Sequence, residues 1–211
     1  MEKIIIIGGG GHAKVLISIV NKMKKYSVLG YTDIQDRGKL LGALYLGDDQ
    51  VLSKIKSKEP QCKVVLGMGS IDVNLKRRSV VTEVTALGFQ FLTIVSPDAI
   101  VQEDVILGAG TVVFAGSIIQ SGTRIGEYAI VNTGACIDHD CQVGDFVHVA
   151  CGAVVCGGVT IGNHSFIGAG STIIQYKKIV QNCLVGAGAT VVHDCLEEGF
   201  YLGTPAQRKT G

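Results

Sequence analysis

The amino-acid sequence predicts two joined folds: a small α/β domain over residues 1–95, then a parallel β-solenoid of six-residue repeats over 96–211, ending in a short tail. Three observations carry this. Every sixth residue from Val95 to Val191 is Val, Ile or Leu, without an insertion, and the next step falls on Glu197. Glycine follows that aliphatic residue at 108, 126, 144 and 162, a spacing of eighteen. Near the start, the β-branched run Ile4–Ile7 ends in four glycines and leads into an apolar stretch.

Neither the 3.6 period of a helix nor the 2 period of a strand explains a six-residue register held this long. A hexapeptide solenoid does. Each unit is one short strand plus a corner, and three units close a triangular coil. The sixth-residue aliphatic points into the prism and stacks on its counterparts above and below. Backbone hydrogen bonds join coils at the ~4.8 Å strand spacing. Each buried aliphatic contributes roughly 1.5–3 kcal/mol against exposure, and one coil alone cannot hold. A glycine repeated at one edge implies either a positive φ or a close approach of backbones.

Within the first domain, Ile4–Ile7 reads as a strand, Gly8 to Gly11 as a turn, and His12 to Lys25 as a helix with Val15, Ile19 and Met23 on one stripe. The spacing of Gly8, Gly10 and Ala13 fits the looser dinucleotide fingerprint. Glycines admit a phosphate to the backbone, and a helix N-terminus offers free N–H groups. A second strand, Val28 to Tyr31, leads to Asp33, placed to accept hydrogen bonds from ribose hydroxyls. The alternative is a plain βα turn. A helix over 48–57 and a third strand from Lys63 to Gly67 follow, the latter closing on Gly69 and Ser70 beside the first glycine turn. A helix over 71–87, with Arg77 and Arg78 on a solvated face, and a strand from Phe89 to Val95 complete the domain. Ser96-Pro97 is the hinge, and the non-periodic tail from Phe200 to Lys209 is placed to cap the open end of the solenoid.

Composition excludes several classes. The chain has 211 residues, 47% hydrophobic and 18% charged, with a net charge of +1. No nucleic-acid partner is implied. The Ile4–Ile7 run is too short for a signal-peptide core or a membrane span. Seven cysteines without a C-x-x-C pair read as reduced thiols, so no membrane insertion and a cytoplasmic location are expected.

Among the histidines, His12 at the helix start faces either the glycine loop and a ligand or solvent. His164 and His193 read as surface residues. His139 stands between Asp138 and Asp140, two residues past the inward Ile137. It either points inward, which is costly for a polar group, or is forced out at a corner. A corner histidine with a carboxylate on one ring nitrogen is a general base; without one it is a surface residue beside ordinary acids. His148 lies half a coil away. One corner does not supply a closed metal site, and no metal is expected.

The whole chain resembles the NeuD/PglD family of hexapeptide-repeat acetyltransferases, the sialic acid O-acetyltransferase and bacillosamine N-acetyltransferase group. The resemblance rests on Ile7–Lys14, Val65–Ser70, Asn132–Asp140, Val147–Ala150 and Gly203–Ala206, in family order. It implies a Rossmann-like first domain, a left-handed β-helix and a homotrimer with active sites between subunits. It also implies acetyl-CoA as cosubstrate and a nucleotide-linked sugar as acceptor, in surface-glycan biosynthesis. His139 matches the catalytic histidine, with Asp140 or Asp138 orienting it. Asp140 stands where some members carry Glu. His148 matches a histidine near the acetyl-CoA thioester. The Gly-Thr-Pro-Ala segment matches a loop near the coenzyme arm, with Arg208 and Lys209 beside its phosphates. Gly8, Gly10, Gly11, His12, Asp33, Gly69 and Ser70 fall on the nucleotide-sugar side. Gly157 is the expected backbone donor to the tetrahedral oxyanion. The expected reaction is direct N-acetylation of the sugar amine. The competing readings are O-acetylation of a sialic-acid-like sugar, a non-catalytic sugar-nucleotide-binding scaffold, and a nicotinamide-dependent dehydrogenase, which would need a second catalytic domain. Cys141 and Cys151 leave an acyl-enzyme open.

Overall fold

The computed structural model describes residues 1–70 and 75–209. The chain divides into two compact units: Met1–Gly69 with Leu75–Pro97, and Ser70 with the chain from Asp98 onward. No helix among the described residues is long and apolar enough to cross a membrane.

In the first unit, β1 (Glu2–Ile7), β2 (Tyr26–Thr32), β3 (Tyr45–Gly47) and β4 (Lys63–Leu66) form one sheet in the order β3-β2-β1-β4. β1 pairs in parallel with β2 and β4, and β2 with β3. Ile4 to Ile7 are at most 1% exposed, as a central strand covered on both faces requires. Helix α1 (Gly11–Met23) buries Ala13, Leu16, Ile17, Ile19 and Val20. Its buried face is therefore centred on Leu16 and Ile17, whereas Val15 is 42% exposed. Of the expected stripe of Val15, Ile19 and Met23, Ile19 is buried, Met23 is half-buried and Val15 is exposed. Helix α2 (Val51–Lys58) and helix α3 (Leu75–Ala86) follow; the expected start of α3 at residue 71 lies outside the described residues. The strand expected from Phe89 is only an isolated bridge, Val64 to Phe91, followed by β5 (Ile94–Val95). Arg77 is a clear correction: it is buried, not solvated. Burial lowers its pKa to about 10, so it stays charged at neutral pH.

In the second unit, two-residue strands recur every six residues and pair in parallel with strands eighteen residues on, as Ile137 does with Val155. Three sheets form the faces of a left-handed prism. From Val113 to Val191, every sixth-residue aliphatic is at most 5% exposed, which is the core of the unit. The last coil is closed by the strand Gly199–Leu202, parallel to Cys183–Val185, and by Gln207–Lys209, antiparallel to that strand.

The corners obey a second six-residue register. Every sixth residue from Gly110 to Gly188 has φ between 54° and 74°. Six of these are not glycine: Tyr128, Asp140, Phe146, His164, Tyr176 and Asn182. The glycines at 108, 126, 144 and 162 are absent from this left-handed set. Their reason is close approach: a Cβ on Gly126 would lie 2.7 Å from the Asp145 nitrogen, and one on Gly144 2.7 Å from the Asn163 nitrogen. Beside the left-handed residue, small hydroxyls tie coil to coil. Thr111, Ser117 and Thr123 donate to the carbonyls of Gly126, Asn132 and Asp138.

Candidate functional site

The corner after Cys136–Ile137 carries His139. Its backbone is held on both sides: the N–H donates to Asp138 Oδ1 at 2.8 Å, and the carbonyl accepts from Gly158 N–H at 2.8 Å. The ring turns outward, with its side chain 51% exposed. Nδ1 meets Asp140 Oδ2 at 2.8 Å. Asp140 therefore orients the imidazole, and Asp138 fixes the main chain. Asp140 occupies a left-handed corner position, φ 58°, which aspartate tolerates better than most residues. From there its short side chain reaches the preceding ring.

That hydrogen bond raises the pKa of His139 above its ordinary value; partial desolvation opposes it, and the charges of Asp138 and Asp140 add to it. With the carboxylate on Nδ1, Nε2 is the nitrogen left to accept a proton. It lies over Gly157, where an added Cβ would come within 2.5 Å of it. Gly157 is thus glycine because the ring occupies the space of a side chain.

His148 is built differently. It points from a face of the prism yet is only 6% exposed. Asn132 Oδ1 accepts from Thr133 N–H at 2.8 Å, which sets the amide so that Nδ2 donates to His148 Nε2 at 3.1 Å. The proton then sits on Nδ1, which donates to the Ser70 carbonyl at 2.8 Å. Phe166 meets the ring edge-on at 5.0 Å. Ser70, expected on the nucleotide side, is thus placed at His148. Asn132 opens one of the segments that carry the family resemblance, but no role was read for it, and Thr123 was not singled out at all.

The two cysteines that leave an acyl-enzyme open differ: Cys151 is exposed and Cys141 is buried. All seven are free thiols. Cys141 is buried, donates to the Cys156 carbonyl, and burial raises its pKa to about 11. Burial of this kind disfavours the thiolate and is characteristic of a structural thiol. In the tail, Arg208 donates through Nε and Nη2 to the Glu198 carbonyl and pairs with Glu197 at 3.0 Å, so its guanidinium clasps the cap. Lys209 is exposed.

The first unit holds a cavity of about 200 Å³ at the carboxyl ends of β1, β2 and β4. Gly8, Asp33, Met68 and Lys76 are among its walls. Asp33 Oδ2 accepts from Gly9 N–H at 2.8 Å and Oδ1 from Gln35 N–H at 3.0 Å, so the acid also braces the glycine turn. Gly10 caps α1 and Gly11 begins it, both with open space where a Cβ would be. His12 lies against Gly69, whose added Cβ would be 3.4 Å from Nδ1. Of the two placements open for it, the ring takes the one toward the glycine-bearing strand ends.

A hexapeptide prism carrying a carboxylate-oriented histidine on an open corner defines the class: a hexapeptide-repeat acyltransferase. The family models agree, with the PglD N-terminal domain matching residues 3–84 and the bacterial transferase hexapeptide matching residues 140–175. The chain is 31% identical to the acetyltransferase domain of PglB from Neisseria gonorrhoeae FA1090 in complex with acetyl coenzyme A, with a TM-score of 0.91 over 99% of each chain. PerB from Caulobacter crescentus, in complex with CoA and GDP-perosamine, is 33% identical, with a TM-score of 0.91 over 100% of this chain and 98% of that one. The UDP-N-acetylbacillosamine N-acetyltransferase of Bacillus subtilis (strain 168) is 31% identical over 119 residues, 54% of this chain and about half, 52%, of that relative. The chain belongs to this family, the PglD-type hexapeptide acetyltransferases.

Proposed function

We propose that this protein transfers the acetyl group of acetyl-CoA to the amine of a nucleotide-linked amino sugar by direct attack, with His139 as general base. The observation that carries the reading is the 2.8 Å contact of His139 Nδ1 with Asp140 on an open corner, which leaves Nε2 to take a proton. The amine nitrogen attacks the thioester carbonyl carbon and a C–N bond forms. His139 accepts the proton the amine loses. As the C–S bond breaks, that proton passes to the departing CoA sulfur. Positioned proton transfer of this kind contributes typically ~10²–10⁴-fold. The Gly157 N–H, which donates to no partner among the described residues, is suited to the developing oxyanion. Asp33 and the cavity beside Gly8 take the nucleotide, as GDP-perosamine binding by PerB suggests.

The site is completed by a second subunit in a trimer. Two observations support this. His139 stands on a corner, whereas His148 lies on a different face of the prism. The face bearing Cys136 also turns Ile100 and Val154 outward, 56% and 38% exposed. A cytoplasmic location fits seven free thiols.

The test is mass spectrometry of products after incubation with acetyl-CoA and UDP-, dTDP- and GDP-linked amino sugars, free sialic acid and CMP-sialic acid. One acetyl gained on a nucleotide amino sugar is the expected result. Acetylation of a sialic acid alone overturns the acceptor, and no product with any acceptor overturns transfer.

A further inference from the structure

We infer that Gly122 is a positioning residue for the His139–Asp140 pair: its missing side chain leaves the space that lets Asp140 hold the imidazole. This rests on His139 being the base.

The corner residues at 122, 140 and 158 stack in successive coils. Asp140 Oδ2 is on His139 Nδ1, and Oδ1 is turned back over Gly122. A Cβ built on Gly122 would land on Asp140 Oδ1 and 3.3 Å from its Cγ. Gly122 cannot move aside, because its N–H donates to Asp104 Oδ2 at 2.8 Å and the Ser121 carbonyl accepts from Asp140 N–H at 3.0 Å. The carboxylate would have to give way instead. Asp140 is 72% exposed, so swinging its side chain into water costs the fold little, but it breaks the contact with Nδ1. The pair is therefore seated between two glycines on neighbouring coils: Gly122 clears space for the carboxylate and Gly157 for the ring.

Backbone strain does not explain Gly122. The same left-handed conformation is held by Tyr128, Asp140 and Tyr176 elsewhere in the register. Gly116 supplies the matched control: its φ is 72° against 74° at Gly122, yet an added Cβ would meet only ordinary contacts, at 3.7 Å from the Gly134 nitrogen. Among the described residues, the charged groups that bear on His139 are Asp138 and Asp140 on its own corner; Asp104, two coils back, holds the Gly122 N–H, and Tyr176, two coils on, lies over Gly158.

The experiment measures pH profiles, kcat and KM for Gly122→Ala, Gly116→Ala, Asp140→Asn and the Gly122→Ala/Asp140→Asn double variant, with melting temperatures. Gly122→Ala is expected to lower kcat roughly tenfold at unchanged KM. It should move the acid limb of kcat to lower pH, since losing the carboxylate lowers the pKa of the base. Gly116→Ala should match its melting temperature but keep the wild-type profile. The double variant should equal Asp140→Asn alone, because both act through one contact. A wild-type profile in Gly122→Ala, the same shift in Gly116→Ala, or additive losses in the double variant overturns the inference. Gly122→Asn carries the same Cβ with less backbone strain, as Asn182 does in the same register, and decides the matter if the alanine variant does not fold. Activity retained by His139→Ala defeats the general-base reading instead, and is a separate result.

Discussion

His139 and His148 sit within one coil and could hardly be placed more differently. His139 is on a corner, half open to water, with a carboxylate on its ring. His148 is buried on a face, between a side-chain amide and a main-chain carbonyl. The carboxylate makes the first ring more basic and leaves its far nitrogen available. The amide and carbonyl fix the second ring in one tautomer and occupy both nitrogens within this chain. The same residue type thus keeps an open ring nitrogen in one place and is a fixed hydrogen-bonding element in the other. Partner chemistry and exposure decide which.

Substitutions can break this contrast. The largest effect is expected from His139→Ala, with kcat down by ~10²–10⁴ and a melting temperature unchanged, since an exposed ring supports little of the fold. Steady-state kinetics beside calorimetry checks both halves; a stability loss with normal turnover would reverse the two roles. Next comes His148→Ala, which leaves the Ser70 carbonyl and the Asn132 amide without their ring partner. At about 1–3 kcal/mol for each buried group left unsatisfied, the melting temperature should fall by at least ~4 °C. An unchanged melting curve would mean the network is not structural. The smallest is Asp140→Asn, roughly a tenfold loss in kcat. The pKa of His139 is raised by Asp140, so the variant's base form persists to lower pH and the acid limb of kcat moves down. A profile that moves up, or not at all, would assign the orienting role elsewhere.

The prism was legible because its interior tolerates one residue class at one spacing. Val95 to Val191 read as core from the chain alone; from Val113 onward they are core, whereas Val95, Val101 and Leu107 are only half-buried. The His139 corner was legible too, as a polar triplet just past an inward aliphatic. Which acid faces the ring was not, because it depends on the backbone at Asp140 turning left-handed. A hint was present: glycines at 110, 116, 122, 134 and 152 keep the same six-residue step as Asp140. The glycines at 108, 126, 144 and 162 drew the reading instead, and they serve a different purpose. In the α/β unit, Arg77 was misread because burial of a cation depends on partners distant in sequence. The buried face of α1 was legible at Ile19 but not at Leu16 and Ile17, which are adjacent and which a single-stripe pattern does not weigh. Ser70 shows the same limit: its role at His148 rests on a carbonyl, which no side-chain motif announces.

The uniform corner register also makes length along the prism countable. A residue eighteen positions on always lies one strand spacing further, about 4.8 Å. The corner of Asp140 is followed by those of Gly158 and Tyr176 before the tail is reached, so the number of coils alone sets how far the capping strands stand from the His139–Asp140 pair. Gain or loss of one whole coil between them would keep every inward aliphatic inward and every corner a corner, while shifting that separation by a fixed step. The prism is in this sense a ruler graduated by its own backbone.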